Sequence, residues 1–233
     1  MEGPLQLASA LKDLALDSTA RDAAKVERLF ASSPDPFHFA LEPQRFDRAT
    51  QLLNSCGRRF GRGLEVGCAE GLFTSELAAR CDELLAVDIS PTALRRAEEK
   101  CRKLPNVRFA LWDLRSDPVP GTFDLVVATG VLEYICRPAT LGAVCERLIS
   151  ALDPDGYFLV GNTVAACEES GRWWARPLLR GTCINTALAG DSRLEAVADS
   201  LDQCIRPFRH TLFRKSSARS AQHSSLTAAG ARA

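Results

Sequence analysis

The sequence predicts an α/β fold: a seven-stranded, mostly parallel sheet with helices on both faces and an antiparallel C-terminal hairpin. Three observations carry this. Short apolar strands alternate with helical segments over residues 63–162. The first strand runs into a glycine-rich turn, "LEVGCAEG", residues 64–71. Acidic residues then stand at the ends of the next two strands, Asp88 and Asp113. Apolar strands alternating with helices imply a parallel sheet covered on both faces, with each crossover right-handed.

The elements follow in order. Leu7, Leu11 and Leu14 keep helical spacing, as do Val26, Leu29 and Phe30. Asp17, Ser18 and Thr19 offer an N-cap between the two groups. Two prolines in "SSPDPF" interrupt, and "RFDRATQLL" reads as a third helix, ended by "SCGRRFGRG". "GLEVGC" reads as a short buried strand, "GLFTSELAARC" as a helix and "ELLAVDI" as a strand. "SPTALRRAEEKC" is a helix capped by Ser90, with Pro91 at its first position, where a missing N–H is harmless. "VRFALW" is a strand, "DLRSDPVPGT" a loop and "FDLVVAT" a strand. "PATLGAVCERLISAL" is a helix, "DPDG" a turn and "GYFLVGN" a strand.

Beyond Asn162 the pattern weakens. "WWARPLLRGTCINTAL" reads as loop plus helix and "SRLEAVADSL" as a helix, while "QCIRPF" and "HTLFRK" pair as the closing hairpin. Residues 216–233 are rich in Ser and Ala with no large apolar cluster, too little to offset ordering entropy, and are expected to be a disordered tail. The organisation expected is a helical segment or lid over residues 1–55, a ligand-binding core over 56–215, and the tail.

Composition narrows the function. A chain of 233 residues suffices for one α/β domain. Formal net charge is zero, which argues against a nucleic-acid partner. No apolar run approaches the roughly 20 residues of a membrane span, and "MEGPLQLASALKDLALD" lacks the basic and long apolar regions of a secretory signal. The nine cysteines include no Cys-x-x-Cys pair. They read as reduced core residues of a cytoplasmic protein, with neither a disulfide framework nor a metal site.

The turn spaces its small residues Gly67-x-Ala69-x-Gly71, so the third comes one residue earlier than in a dinucleotide fingerprint. Glu70 lies at its mouth, where a carboxylate repels a pyrophosphate and suits a cationic ligand. S-adenosylmethionine has a sulfonium, an ammonium and no phosphate. Asp88 ends the second strand, where an acid accepts hydrogen bonds from ribose hydroxyls; the alternative is a helix N-terminal charge. "LWD" ends the third strand: Asp113 is placed to accept from an adenine amino group with Trp112 or Leu114 on the ring, or else is a plain loop carboxylate. "FDLVVATGVLEYI" leaves the fourth strand over the carboxyl edge, where open α/β sheets bind ligands.

On these residues the chain resembles the class I S-adenosylmethionine-dependent methyltransferases, from about Phe37 to Lys215. It is similar, more narrowly, to the NodS-type small-molecule enzymes, through "DPFHF", "LEVGCAEGLFTSELAARCDELLAVDISPTAL" and "FDLVVATGVLEYI". The resemblance implies a Rossmann-like fold, S-adenosyl-L-methionine as cofactor and S-adenosyl-L-homocysteine as product. It implies a small acceptor methylated on N or O, an amino sugar, glycoside or natural-product intermediate, and a monomer or homodimer. The cofactor-binding residues it implies are Glu65, Gly67, Cys68, Ala69, Gly71, Asp88, Ile89, Trp112, Asp113, Leu114, Thr129 and Gly130, with Phe37 against the sulfonium or adenine. This chain departs from the subfamily at Phe37, where Trp is common, at Gly130, where Glu is common, and at Glu133 and Tyr134, where two tyrosines stand.

A hydroxyl acceptor needs a general base near the methyl group. His38, Glu133 and Tyr134 are the candidates. His223 falls in the tail, and His210 reads as an exposed strand residue. No Asn-Pro-Pro-Tyr-like run follows the fourth strand, against a nucleic-acid amino methyltransferase. Trp173 and Trp174, with Arg172, Arg176 and Arg180, suit a sugar or aromatic acceptor or an anionic group, or else pack a surface helix. Two rival functions stand beside methyl transfer: a non-catalytic module that keeps the fold, and an NAD-dependent oxidoreductase, against which Leu72 occupies the place of the third glycine.

Overall fold

A computed structural model of the chain describes residues 19–37, 42–135, 137–164, 180–202 and 207–217. The elements are α1 (Thr19–Ser32), α2 (Pro43–Asn54), β1 (Phe60–Val66), α3 (Thr74–Ala78), β2 (Cys81–Asp88), α4 (Pro91–Cys101), β3 (Val107–Leu111) and β4 (Phe123–Thr129). A 3-10 turn (Leu132–Tyr134) follows, then α5 (Pro138–Ser150), β5 (Leu152–Thr163), α6 (Arg180–Ala189), β6 (Leu194–Asp202) and β7 (Phe208–Lys215).

The seven strands form one sheet in the order β3-β2-β1-β4-β5-β7-β6. β1 to β5 run parallel, and β7 lies antiparallel between β5 and β6. The order reverses at β1 and β4, so their carboxyl ends flank the crevice where such sheets bind ligands. Val66 sits beside Val87 on one side and Ala128 on the other, which brings the three strand exits level.

Two apolar layers hold the sheet. On one face Val66, Val87, Ala128, Phe158 and Phe213 pack with Val144 and Leu148 of α5 and Ile184 and Leu188 of α6. On the other, Leu125, Val127, Leu159 and Leu212 pack with Leu52 and Leu53 of α2 and Leu77 of α3. Phe158 is fully buried, a contribution of about 2–3 kcal/mol for such a side chain.

Most predicted elements stand where the pattern placed them. Ser90 caps α4, its hydroxyl accepting from the Ala93 amide at 3.1 Å. β1 begins at Phe60 rather than Gly63, because Asp124 accepts from the amides of Gly61 and Arg62 at 2.9 and 2.8 Å. The helix after the glycine turn is confined to Thr74–Ala78. The stretch "SRLEAVADSL" is corrected: it is strand β6, and it pairs antiparallel with β7. Leu194, Val197, Ala198 and Leu201 have helical spacing, but pairing with the buried β7 overrides it. Val197 and Leu201 consequently face outward, 43% and 50% exposed.

The Leu7–Leu14 helix, the Asp17–Ser18 cap, the "QCIRPF" segment up to Arg206 and most of the tail lie outside the described residues. Among the described residues no helix is long and apolar enough to cross a membrane, and no three His, Cys, Asp or Glu are grouped to hold a metal ion.

Candidate active site

Gly67 leaves β1 with φ +74°, and a Cβ there would stand 2.9 Å from Cγ2 of Val131. Left-handed backbone and close approach both require glycine at this position. The amides of Gly67 and Cys68 donate to the Val87 carbonyl at 2.8 and 3.0 Å, tying the turn to β2. Ala69 follows at φ +48°. Gly71 ends the turn against Ala97 and Cys101 of α4.

Asp88 joins this turn to the next helix. Its Oδ2 accepts from the Ala69 amide and its Oδ1 from the Ser90 amide, each at 2.9 Å. Burial raises its pKa from the ordinary carboxylate value, and the amides of Ser90, Ala69 and Ile89 oppose that. Each oxygen keeps a lone pair for a further donor. Beside Asp88 lies an apolar slot of about 70 Å³, lined by Gly67, Ala69, Ile89, Trp112, Leu114, Gly130 and Tyr134. Trp112 is fixed by its indole N–H, which donates to the Pro118 carbonyl at 3.1 Å.

The outer wall of the slot comes from the N-terminal segment. Val26, Phe30 and Phe37 line it. Phe37 lies 5.7 Å from Phe30 and 5.9 Å from Tyr134, ring to ring. Two polar clamps dock α1: Glu27 accepts from Ser90 Oγ at 2.6 Å and from the Thr92 amide at 3.1 Å, and Asp22 pairs with Arg115 at 2.6 Å.

Several acidic residues differ from their sequence reading. Asp113 reaches the rim, but its carboxylate is taken by Arg115, through the backbone amide, Nε and Nη2 at 2.7–3.0 Å. Desolvation opposes, but these bonds hold its pKa below the usual range. Arg115, not Asp113, lines the slot. Glu70 is likewise engaged by Arg96 and by the Asp35 amide, so its charge is neutralised rather than presented to a ligand. Glu133 is 3% exposed and accepts from the Thr163 amide at 2.7 Å and its hydroxyl at 3.2 Å. It fastens the exit of β4 to the end of β5. Tyr134 does line the slot. His38, Trp173, Trp174, Arg172 and Arg176 lie outside the described residues.

On the other side of the turn a smaller cavity of about 20 Å³ is lined by Arg45, Phe46, Glu65, Gly67, Cys68 and Thr129, among others. Glu65 accepts from the Thr74 hydroxyl at 2.7 Å. Burial pushes its pKa up to about 7; the Thr74 bond opposes this and the Asp88 charge adds to it. Arg45 is 4% exposed, paired with Glu42, its guanidinium 4.0 Å from the Phe208 ring. The sequence did carry a signal for it: Arg45 shares a helical stripe with Ala49, Leu52 and Leu53, all buried, and a charge on an apolar stripe marks a site.

One rim thus offers a cation, two acids, a glycine turn and an apolar slot, a set that fits a nucleoside bearing an amino-acid end. The family model "Nodulation protein S (NodS)" matches residues 25–197. Nodulation protein S of Sinorhizobium fredii strain NGR234 is 31% identical over 144 residues, 60% of this chain and 66% of that protein. The matched segment spans 60–66% of the length of three such nodulation proteins. A ubiquinone biosynthesis O-methyltransferase of Methylococcus capsulatus is 32% identical over 112 residues, 47% of this chain and 46% of that one. The crystal structure of N-methyltransferase NodS from Bradyrhizobium japonicum WM9 with S-adenosyl-L-homocysteine shares the fold, with a TM-score of 0.70 and 24% identity over 86% of this chain and 100% of that chain.

Proposed function

The chain belongs to the NodS family of S-adenosylmethionine-dependent methyltransferases, and from that premise we propose that it transfers a methyl group from S-adenosylmethionine to the amine of a small molecule of amino-sugar type. The observation that carries the reading is the turn at Gly67 set between two unlike pockets, one apolar and one charged. The cofactor supplies an activated methyl group on a sulfonium, and the protein supplies alignment and exclusion of water.

The residue roles follow from chemistry. Asp88 accepts from the ribose hydroxyls with its spare lone pairs. Ile89, Trp112 and Leu114 take the adenine faces in the apolar slot. Arg45 meets the carboxylate of the amino-acid end and Glu65 its ammonium. A slot of about 70 Å³ is small beside the roughly 300–1,000 Å³ of small-molecule sites. Phe30 and Phe37 must therefore withdraw, which makes α1 and the segment to Phe37 a movable cover.

Nitrogen is proposed over oxygen because a structurally similar family member is an N-methyltransferase. An amine that has lost its proton beforehand needs no strong base. The test is mass spectrometry after incubating the full chain and S-adenosylmethionine with chitotetraose carrying a free terminal amine, against the fully N-acetylated sugar. One added methyl on the free-amine sugar alone is expected. Transfer to the N-acetylated sugar would point to oxygen, and no transfer by protein that binds S-adenosyl-L-homocysteine would exclude this acceptor. A thermal shift with NAD but none with S-adenosyl-L-homocysteine would overturn the cofactor reading.

A further inference from the structure

His210 is fully buried, and neither ring nitrogen has a hydrogen-bond partner among the described residues. A buried polar group left unpaired costs roughly 1–3 kcal/mol, so an imidazole with both nitrogens orphaned calls for a reason. It sits on β7 directly opposite Gly161 of β5, which in turn lies opposite Thr129 of β4. The ring leans across Gly161: a Cβ at that glycine would meet Cδ2 at 2.6 Å and Nε2 at 2.9 Å. The imidazole therefore reaches toward Thr129, which lines the cavity with Arg45, Glu65 and Gly67. The Phe208 ring lies over Gly161 beside it, 4.8 Å away between ring centroids, and Arg45 lies over Phe208.

We propose that His210 is a hydrogen-bond acceptor at the methyl-transfer position, facing the transferred methyl and the amine that receives it, at the far side of the sulfonium from the adenosine slot. This rests on the cofactor reading above. Burial, the nearby Arg45 charge and, opposing them, Asp199 leave the pKa lowered to about 3, so the ring is neutral at neutral pH and able to accept. Contact requires the Arg45 guanidinium, now over Phe208, to swing toward the cofactor's carboxylate. Gly161 is then a specificity element, since any side chain there would displace the imidazole.

Sinefungin tests this without knowledge of the acceptor, because its amine replaces the sulfonium methyl. Calorimetry on the full chain compares sinefungin with S-adenosyl-L-homocysteine for wild type, His210→Phe and His210→Gln. His210→Phe should lower the affinity for sinefungin relative to S-adenosyl-L-homocysteine about tenfold, the loss of one hydrogen bond to a charged group. Binding of S-adenosyl-L-homocysteine itself should stay unchanged, which also shows that the variant is folded. His210→Gln, which retains an acceptor, should keep most of the ratio. An unchanged ratio in His210→Phe overturns the proposal while leaving the cofactor reading intact; failure of wild type to bind either ligand overturns both.

Discussion

Asp22 of α1 and Arg115 of the loop after β3 form an ion pair at 2.6 Å, with side chains 2% and 3% exposed. Cutting a buried pair strands a charge, usually at 3–5 kcal/mol. Arg115 keeps Asp113 as a second partner, so Asp22→Ala is expected to cost about 3 kcal/mol, the lower end of that range. Urea denaturation measures this. A loss under 1 kcal/mol would mean that α1 is not anchored here.

The glycine turn gives a paired test. Ala69 holds φ +48°, a conformation that costs an L-residue roughly 1–2 kcal/mol and glycine almost nothing. Ala69→Gly should stabilise the protein by about 0.5–1 kcal/mol after its added unfolded-state entropy. Gly67→Ala should do the reverse and cost about 2 kcal/mol or more, because strain adds to contact with Val131. Thermal denaturation of the two variants should move in opposite directions.

Asp88→Ala removes two acceptors at the turn and the ribose contacts assigned to them. Affinity for S-adenosyl-L-homocysteine is expected to fall by about 1–3 kcal/mol in calorimetry, the size of lost charge-assisted hydrogen bonds. Unchanged affinity would remove the ribose assignment.

Arg45→Gln separates the two ends of the cofactor. S-adenosyl-L-homocysteine should bind about 2 kcal/mol more weakly, the contribution of a charge-assisted bond. Methylthioadenosine, which lacks the amino-acid end, should bind as to wild type. Equal losses for both would place Arg45 in the fold rather than the site.

What the sequence made legible was strong local periodicity. The five parallel strands, the turn at Gly67 and the cap at Ser90 all follow from nearest neighbours along the chain. β6 did not, because its helical spacing is overruled by a partner strand. Asp113 and Glu70 stand at the rim as expected, but their partners Arg115 and Arg96 are set by how loop and helix meet in space. Glu133 looked free after β4 and is fixed by Thr163, thirty residues on. His210 looked exposed and is buried, since a helix layer covers that face of β7. Arg45 was not singled out in the sequence, because its place on an apolar stripe gains meaning only from the cavity beside Gly67.

Glu65 should make stability and binding depend on pH in opposite ways. Its folded pKa of about 7 lies above its ordinary 4.5, chiefly through burial. A carboxyl whose pKa is raised on folding binds more protons folded than unfolded between those values, so stability falls as pH rises from 4.5 to 7. The full penalty, on the order of 3 kcal/mol, is present above pH 7 and absent below 4.5. Glu65→Gln should therefore stabilise the ligand-free protein at pH 8 and leave it nearly unchanged at pH 4.5. An ammonium beside the carboxylate favours its charged form. S-adenosyl-L-homocysteine should accordingly bind more tightly at pH 8 than at pH 6 and release a proton at pH 6, measurable by calorimetry in buffers of different ionisation enthalpy. Glu65→Gln should abolish that release. Proton release that persists in the variant would assign the titration to another group and leave Glu65 as a buried strut of the turn.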